Sequence, residues 1–74
     1  MCNNIKLPKK INEYTELELN RFRELCNFSE NELKYFNMKA KDKSIVEIAM
    51  EMGVSESTVS LYSRRVRQKM FEVM

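Results

Sequence analysis

The sequence predicts an all-α fold, a small four-helix domain containing a helix-turn-helix. Three observations carry this. Helix-capping residues recur ahead of apolar stripes at helical spacing, at Thr15, Ser29, Ser44 and Ser55. Helix formers dominate, the β-branched residues are scattered, and the 74 residues hold one glycine and one proline. The stretch from Ser44 to Tyr62 reads as two helices about a tight turn. The length suits one domain with a small core.

Residues 1–12 read as a flexible basic arm ahead of a single domain over 13–74. The arm carries Lys6, Lys9 and Lys10 and no acid, and Asn3, Asn4 and Pro8 discourage a helix. Thr15 with Glu18 three residues on forms a capping box, so a helix is expected over about 15–26. Leu17, Arg21, Phe22 and Leu25 mark that helix, with Phe22 as its large anchor. Asn27-Phe28 is a break, and Ser29 with Glu32 opens a second helix over about 30–40. Leu33, Phe36, Met38 and Ala40 make its apolar side, with Tyr35 at an edge.

After the polar link Lys41-Asp42-Lys43, Ser44 and Glu47 form a third box, and the helix over 45–52 follows. Ile45, Ile48, Ala49 and Met52 fall at i, i+3, i+4 and i+7, on one face. Ala49 puts only a methyl on that face, which lets another helix approach. Gly53 follows where a positive φ ends a helix without a Cβ penalty. Val54 plugs the corner, Ser55 recaps the chain, and the last helix runs over about 56–72. Its apolar face is Val59, Tyr62, Val66 and Met70, with Ser63 at the boundary. The expected core is Phe22, Leu25, Leu33, Phe36, Ile45, Ile48, Ala49, Met52, Val54, Val59, Tyr62 and Val66.

Composition narrows the function. Without histidine the serines have no imidazole base, and the sequence shows neither a glycine-rich nucleotide loop nor a metal-ligand pattern. No enzyme activity, cofactor or metal is expected. Cys2 and Cys26 fit no metal spacing, and the methionines read as core filler. No apolar stretch approaches the roughly 18 residues of a membrane span, and no secretory signal is visible, so a cytoplasmic protein with no membrane partner is expected.

Net charge is only +2, but it is unevenly spread. Residues 13–36 hold six carboxylates against Arg21, Arg23 and Lys34. The last helix holds Arg64, Arg65, Arg67 and Lys69. A basic cluster there attracts the phosphate backbone. Opposite its apolar face lie Ser57, Ser60, Leu61, Arg64, Arg65 and Gln68. A helix-turn-helix presents such a face to the DNA major groove, where Leu61 can meet a thymine methyl and Arg64 can bind guanine O6 and N7 together. Ser57, near the helix N-terminus, can assist a phosphate contact.

From Phe28 to about Met70 the chain resembles the LuxR/GerE-type DNA-binding domain. The resemblance rests on Phe28-Ser29-Glu30-Asn31-Glu32, Glu47-Ile48-Ala49, Met52-Gly53-Val54-Ser55 and Thr58-Val59. Ser29 and Glu32 match the family's Thr-Pro-x-Glu opening, and Lys69-Met70 takes the place of its closing Lys-Leu. The related region-four domain of sigma factors has similar helices. The sequence departs from the pattern at Glu30, where proline is usual, at Asp42, where glycine often ends a helix, and at Ser60, where lysine follows Thr-Val.

The family also carries a dimerising helix after the recognition helix. The present residues stop before one forms, and the segment 15–26 is expected to fill its packing role. The resemblance implies sequence-specific binding of double-stranded DNA by a small transcriptional regulator. It places Ser60, Leu61 and Arg64 against bases, and Thr58, Arg65, Arg67 and Lys69 against phosphates, to which the position of Ser57 at the helix N-terminus adds a further phosphate contact. A homodimer is expected, because one recognition helix reads few base pairs and Phe71, Val73 and Met74 offer apolar surface. RNA polymerase or another regulator is a further candidate partner. The competing function is a protein-interaction adaptor or anti-regulator that uses the fold without DNA.

Overall fold

A computed structural model describes residues 9–74. A 3-10 turn, Ile11–Glu13, leads into four α-helices: α1 (Glu16–Leu25), α2 (Glu30–Ala40), α3 (Ile45–Met52) and α4 (Glu56–Glu72). There is no strand among the described residues. The long α4 packs across both α2 and α3, and the 3-10 turn sits on α2.

Each helix begins as the capping chemistry requires. The hydroxyls of Thr15, Ser29 and Ser44 accept from the amides of Glu18, Glu32 and Glu47. Those three carboxylates accept in return from the cap amides at 2.9, 3.1 and 2.9 Å. Ser55 caps α4 by accepting from the Thr58 amide at 3.2 Å. All three of these acids lie below the usual carboxylate range. The Thr15 amide, with Lys9 also contributing, holds Glu18 down, and the Ser44 amide and hydroxyl hold Glu47 down.

Helices α1, α2 and α3 are each followed by a residue with positive φ: Asn27 at 52°, Asp42 at 63° and Gly53 at 70°. These are the three residue types that enter the left-handed region most readily. After α2 the Lys43 amide reaches back to Met38 O at 3.3 Å and the Asp42 amide to Lys39 O at 2.9 Å. After α3 the Val54 amide donates to Ala49 O at 3.0 Å. Both are Schellman closures, which satisfy carbonyls the helix leaves open. Asp42 therefore performs the turn that glycine often makes.

The core contains Phe36, Ile48, Val59, Val66 and Met70, all fully buried, with Leu19, Phe22, Cys26, Tyr35 and Ala49 around them. Ile45, Met52, Val54 and Tyr62 pack against it as half-buried neighbours. Phe28 leans on Phe36 with ring centroids 5.0 Å apart. Arg23 ties α1 to α2. Its guanidinium donates to Asn37 Oδ1 at 2.9 Å and lies over the Phe36 ring.

The structure corrects several expected core positions. Leu25 is 55% exposed, and Leu33 is only half-buried and outside the core cluster. Helix α1 carries two apolar stripes about a quarter-turn or more apart. The helix buries Leu19, Phe22 and Cys26 and turns Leu17 and Leu25 outward. Tyr35, expected at an edge, is buried. Ile11, assigned to the arm, is buried in the core, and Tyr14 beside it stacks edge-on against Phe22 at 5.2 Å. Residues 1–8 of the arm, Cys2 and Lys6 among them, lie outside the described residues.

Candidate nucleic-acid interface

The turn between α3 and α4 fixes the geometry of the candidate site. Gly53 adopts its left-handed conformation with open space around it, since an added Cβ would meet nothing within 4 Å. Conformation, not crowding, selects glycine there. The buried pair Ile48 and Ala49 holds α3 to the core, and α4 leaves the corner with Val59, Ser63, Val66 and Met70 buried.

That buried face dictates where every other residue of α4 points. At about 100° per residue, Ser57, Leu61, Arg64 and Gln68 form a stripe roughly opposite it. All four are exposed. Arg67 and Ser60 fall on one flank of this stripe, and Thr58, Arg65 and Lys69 on the other. The cross-section suits a helix lying in a groove, with side chains at the floor and cations toward both walls. Arg64 and Arg65 make no hydrogen bond or salt bridge among the described residues, so both guanidiniums are available. Leu61 is the apolar member of the stripe.

Other expected site residues have internal partners. Thr58 is half-buried, and its hydroxyl lies 3.0 Å from Ser55 Oγ within the helix cap. Arg67 Nε donates to Ser63 O at 3.4 Å. Lys69 Nζ donates to Glu32 Oε1 at 2.6 Å and to Asn27 O at 3.3 Å. Glu32 is buried, and burial alone would raise its pKa. The Lys69 ammonium and the Ser29 amide outweigh that, with Arg65 adding to them, and hold Glu32 below the usual carboxylate range. Thus the carboxylate that caps α2 also staples α4.

Sequence reasoning placed Gln68 on the outer face but not in the site. Its signal is periodicity, four residues after Arg64 and seven after Leu61. Gln68 Nε2 reaches Glu72 Oε2 at 3.4 Å, an exposed contact it can exchange. Sequence alone did not reveal the Glu32–Lys69 staple, which joins residues 37 positions apart.

Burial pushes the Cys26 thiol up, although Lys69 opposes this, so the thiol stays protonated and unreactive near neutral pH. Among the described residues no group of three or more His, Cys, Asp or Glu is placed to hold a metal, and no helix is long and apolar enough to cross a membrane.

A family model described as bacterial regulatory proteins, luxR family (GerE), matches residues 26–71, which span α2, α3 and α4. No curated protein and no solved structure matches the chain.

Proposed function

The chain belongs to the luxR family of bacterial regulatory proteins, and from that premise we propose that it binds double-stranded DNA sequence-specifically as a small transcriptional regulator. The observation that carries this is the outward stripe of α4, with arginines on and beside it and no hydrogen bond or ion pair to Arg64 or Arg65 among the described residues. In the proposed complex the first two-thirds of α4 enters the major groove. Leu61 and Arg64 read base edges, with Ser60 beside them. Ser57 and the α4 N-terminus take one phosphate, and Arg65 and Arg67 take phosphates on opposite walls. Thr58 and Lys69 act chiefly inside the protein, through the cap and the staple. The functional unit is a homodimer, because one such helix reads too few base pairs for strong selection.

Selection from a random duplex library, followed by titration of the enriched sequence, tests this. The expected result is one motif bound more tightly than random duplex, with discrimination reduced by Arg64→Ala. A library that yields no enriched motif, or an Arg64→Ala, Arg65→Ala double variant that stays folded and binds DNA as before, would overturn it. The second outcome would favour the protein adaptor.

A further inference from the structure

We propose that Gln68 is a further base-reading residue of α4 and that it reads adenine. The inference deepens the DNA-binding reading above and rests on it. The buried face of α4 is set by Val59, Ser63, Val66 and Met70. At about 100° per residue, Gln68 and Leu61 each lie within about 10° of the direction opposite that face, nearer to it than Arg64 does. Gln68 is exposed, yet its backbone is firmly placed. Val66 and Met70 on either side of it are fully buried, and its neighbour Lys69 is tied to Glu32. From Arg64 to Gln68 the helix climbs about 6 Å, less than two base steps of about 3.4 Å. The base pair facing Gln68 therefore lies within two steps of the one facing Arg64.

The amide of Gln68 has a defined orientation. Its Nε2 donates to Glu72 Oε2 at 3.4 Å, four residues on. A carboxylate only accepts, so the NH2 end must face Glu72. Gln68 need not give this contact up to reach a base, because it uses one N–H only. The other N–H stays open, and Oε1 accepts no hydrogen bond among the described residues. What remains is one donor beside one acceptor. In the major groove adenine offers the matching pair, the N7 acceptor beside the N6 amino donor. Guanine offers two acceptors, N7 and O6, and would leave Oε1 facing an oxygen. The Arg64 guanidinium has only donors and matches guanine. Two neighbouring positions of one stripe thus select different purines by hydrogen-bond pattern alone.

Glu72 is a positioning residue in this scheme and touches no base. Without it both N–H groups of Gln68 are free, and the amide can turn its NH2 end toward guanine as well. The Glu72 carboxylate also repels the phosphate backbone. Removing it should therefore move two quantities in opposite directions. Random duplex is bound more tightly, and the choice of adenine over guanine weakens. A role confined to holding the helix together would lower both.

Selection from a random duplex library with wild type and variants, followed by titration against single-base changes, tests the assignment. The wild-type motif should carry adenine within two base pairs of the guanine whose choice Arg64→Ala relaxes. Gln68→Ala should weaken binding to the adenine duplex about tenfold and make the four bases nearly equal at that pair. It should leave discrimination at the Arg64 pair and the thermal melt unchanged. Gln68→Arg should move the preference at the Gln68 pair from adenine to guanine. Glu72→Ala should lower the adenine-to-guanine ratio at the same pair while tightening random duplex. A wild-type motif that Gln68→Ala leaves unchanged would overturn the proposal and leave the DNA-binding reading standing. So would a Gln68→Ala loss spread evenly over every sequence, or relaxation at a base other than adenine. A wild-type chain that enriches no motif would refute the DNA-binding reading itself, and this assignment with it.

Discussion

Replacing Lys69 with methionine tests the staple between α2 and α4. Methionine keeps much of the apolar stem and deletes the ammonium. Glu32 is only 4% exposed and would lose its 2.6 Å partner. Removing one member of a buried ion pair costs about 3–5 kcal/mol. Two features lower that figure here. The Lys69 side chain is 35% exposed, so water already screens the pair, and the Ser29 amide still binds Glu32. The expected loss is about 2–3 kcal/mol, or roughly 10–20 °C in Tm for a domain of this size.

The pH dependence separates charge from packing. Glu32 has a folded pKa below its unfolded value of about 4.3. Its contribution is therefore fully present above that unfolded value and is lost as pH falls through the folded one. Urea denaturation at pH 7 and near pH 3 should show the gap between wild type and Lys69→Met narrowing in acid. A gap of the same size at both values would mean that Lys69 contributes only its stem. Two equally stable proteins at pH 7 would refute the staple.

Arg64→Ala should cost about 1–3 kcal/mol on the preferred duplex and relax the choice at one base pair, read by titration against single-base variants. Arg67→Ala should weaken preferred and random duplexes about equally and flatten the salt dependence by about one charge, whereas Lys69→Met should leave that slope alone. Ala49→Leu should overfill the space between α3 and its neighbours and lower stability by about 1–3 kcal/mol in a thermal melt. Gly53→Ala should cost about 1–2 kcal/mol through its φ of 70° alone, because a Cβ there touches nothing.

Much of the fold could be read directly because its signals are local. A hydroxyl followed three residues later by a carboxylate specifies a helix start whatever packs against it, and Thr15, Ser29 and Ser44 all behave accordingly. The face of α1 was harder. Leu17 and Leu25 make as regular a stripe as Leu19, Phe22 and Cys26, and the neighbours of α1 decide between them. Arg23 over Phe36 and Tyr14 against Phe22 favour the second. Burial of Ile11 was invisible for the same reason, since a lone isoleucine among polar residues has no periodicity. The outward stripe of α4 was legible because the apolar residues opposite it are unambiguous. Lys69 was not, because a cation beside three arginines looks the same in sequence whether it faces phosphate or a buried carboxylate.

The staple bears on how α4 can serve the DNA reading. One end of the helix is fixed by the Ser55 cap and the Gly53 turn. Farther along, Val66 and Met70 are buried and Lys69 is tied to the first turn of α2. Leu61 and Arg64 lie between these anchors, so their backbone is held from both sides while their side chains stay exposed. Base readout needs such rigidity, because a bidentate contact tolerates little misplacement. Glu32 and Arg64 never meet, yet one fixes the helix on which the other stands. If this account holds, Lys69→Met should weaken the preferred duplex more than random DNA even at temperatures where the variant is fully folded. Phosphate contacts tolerate a loosened helix far better than a two-point contact with guanine.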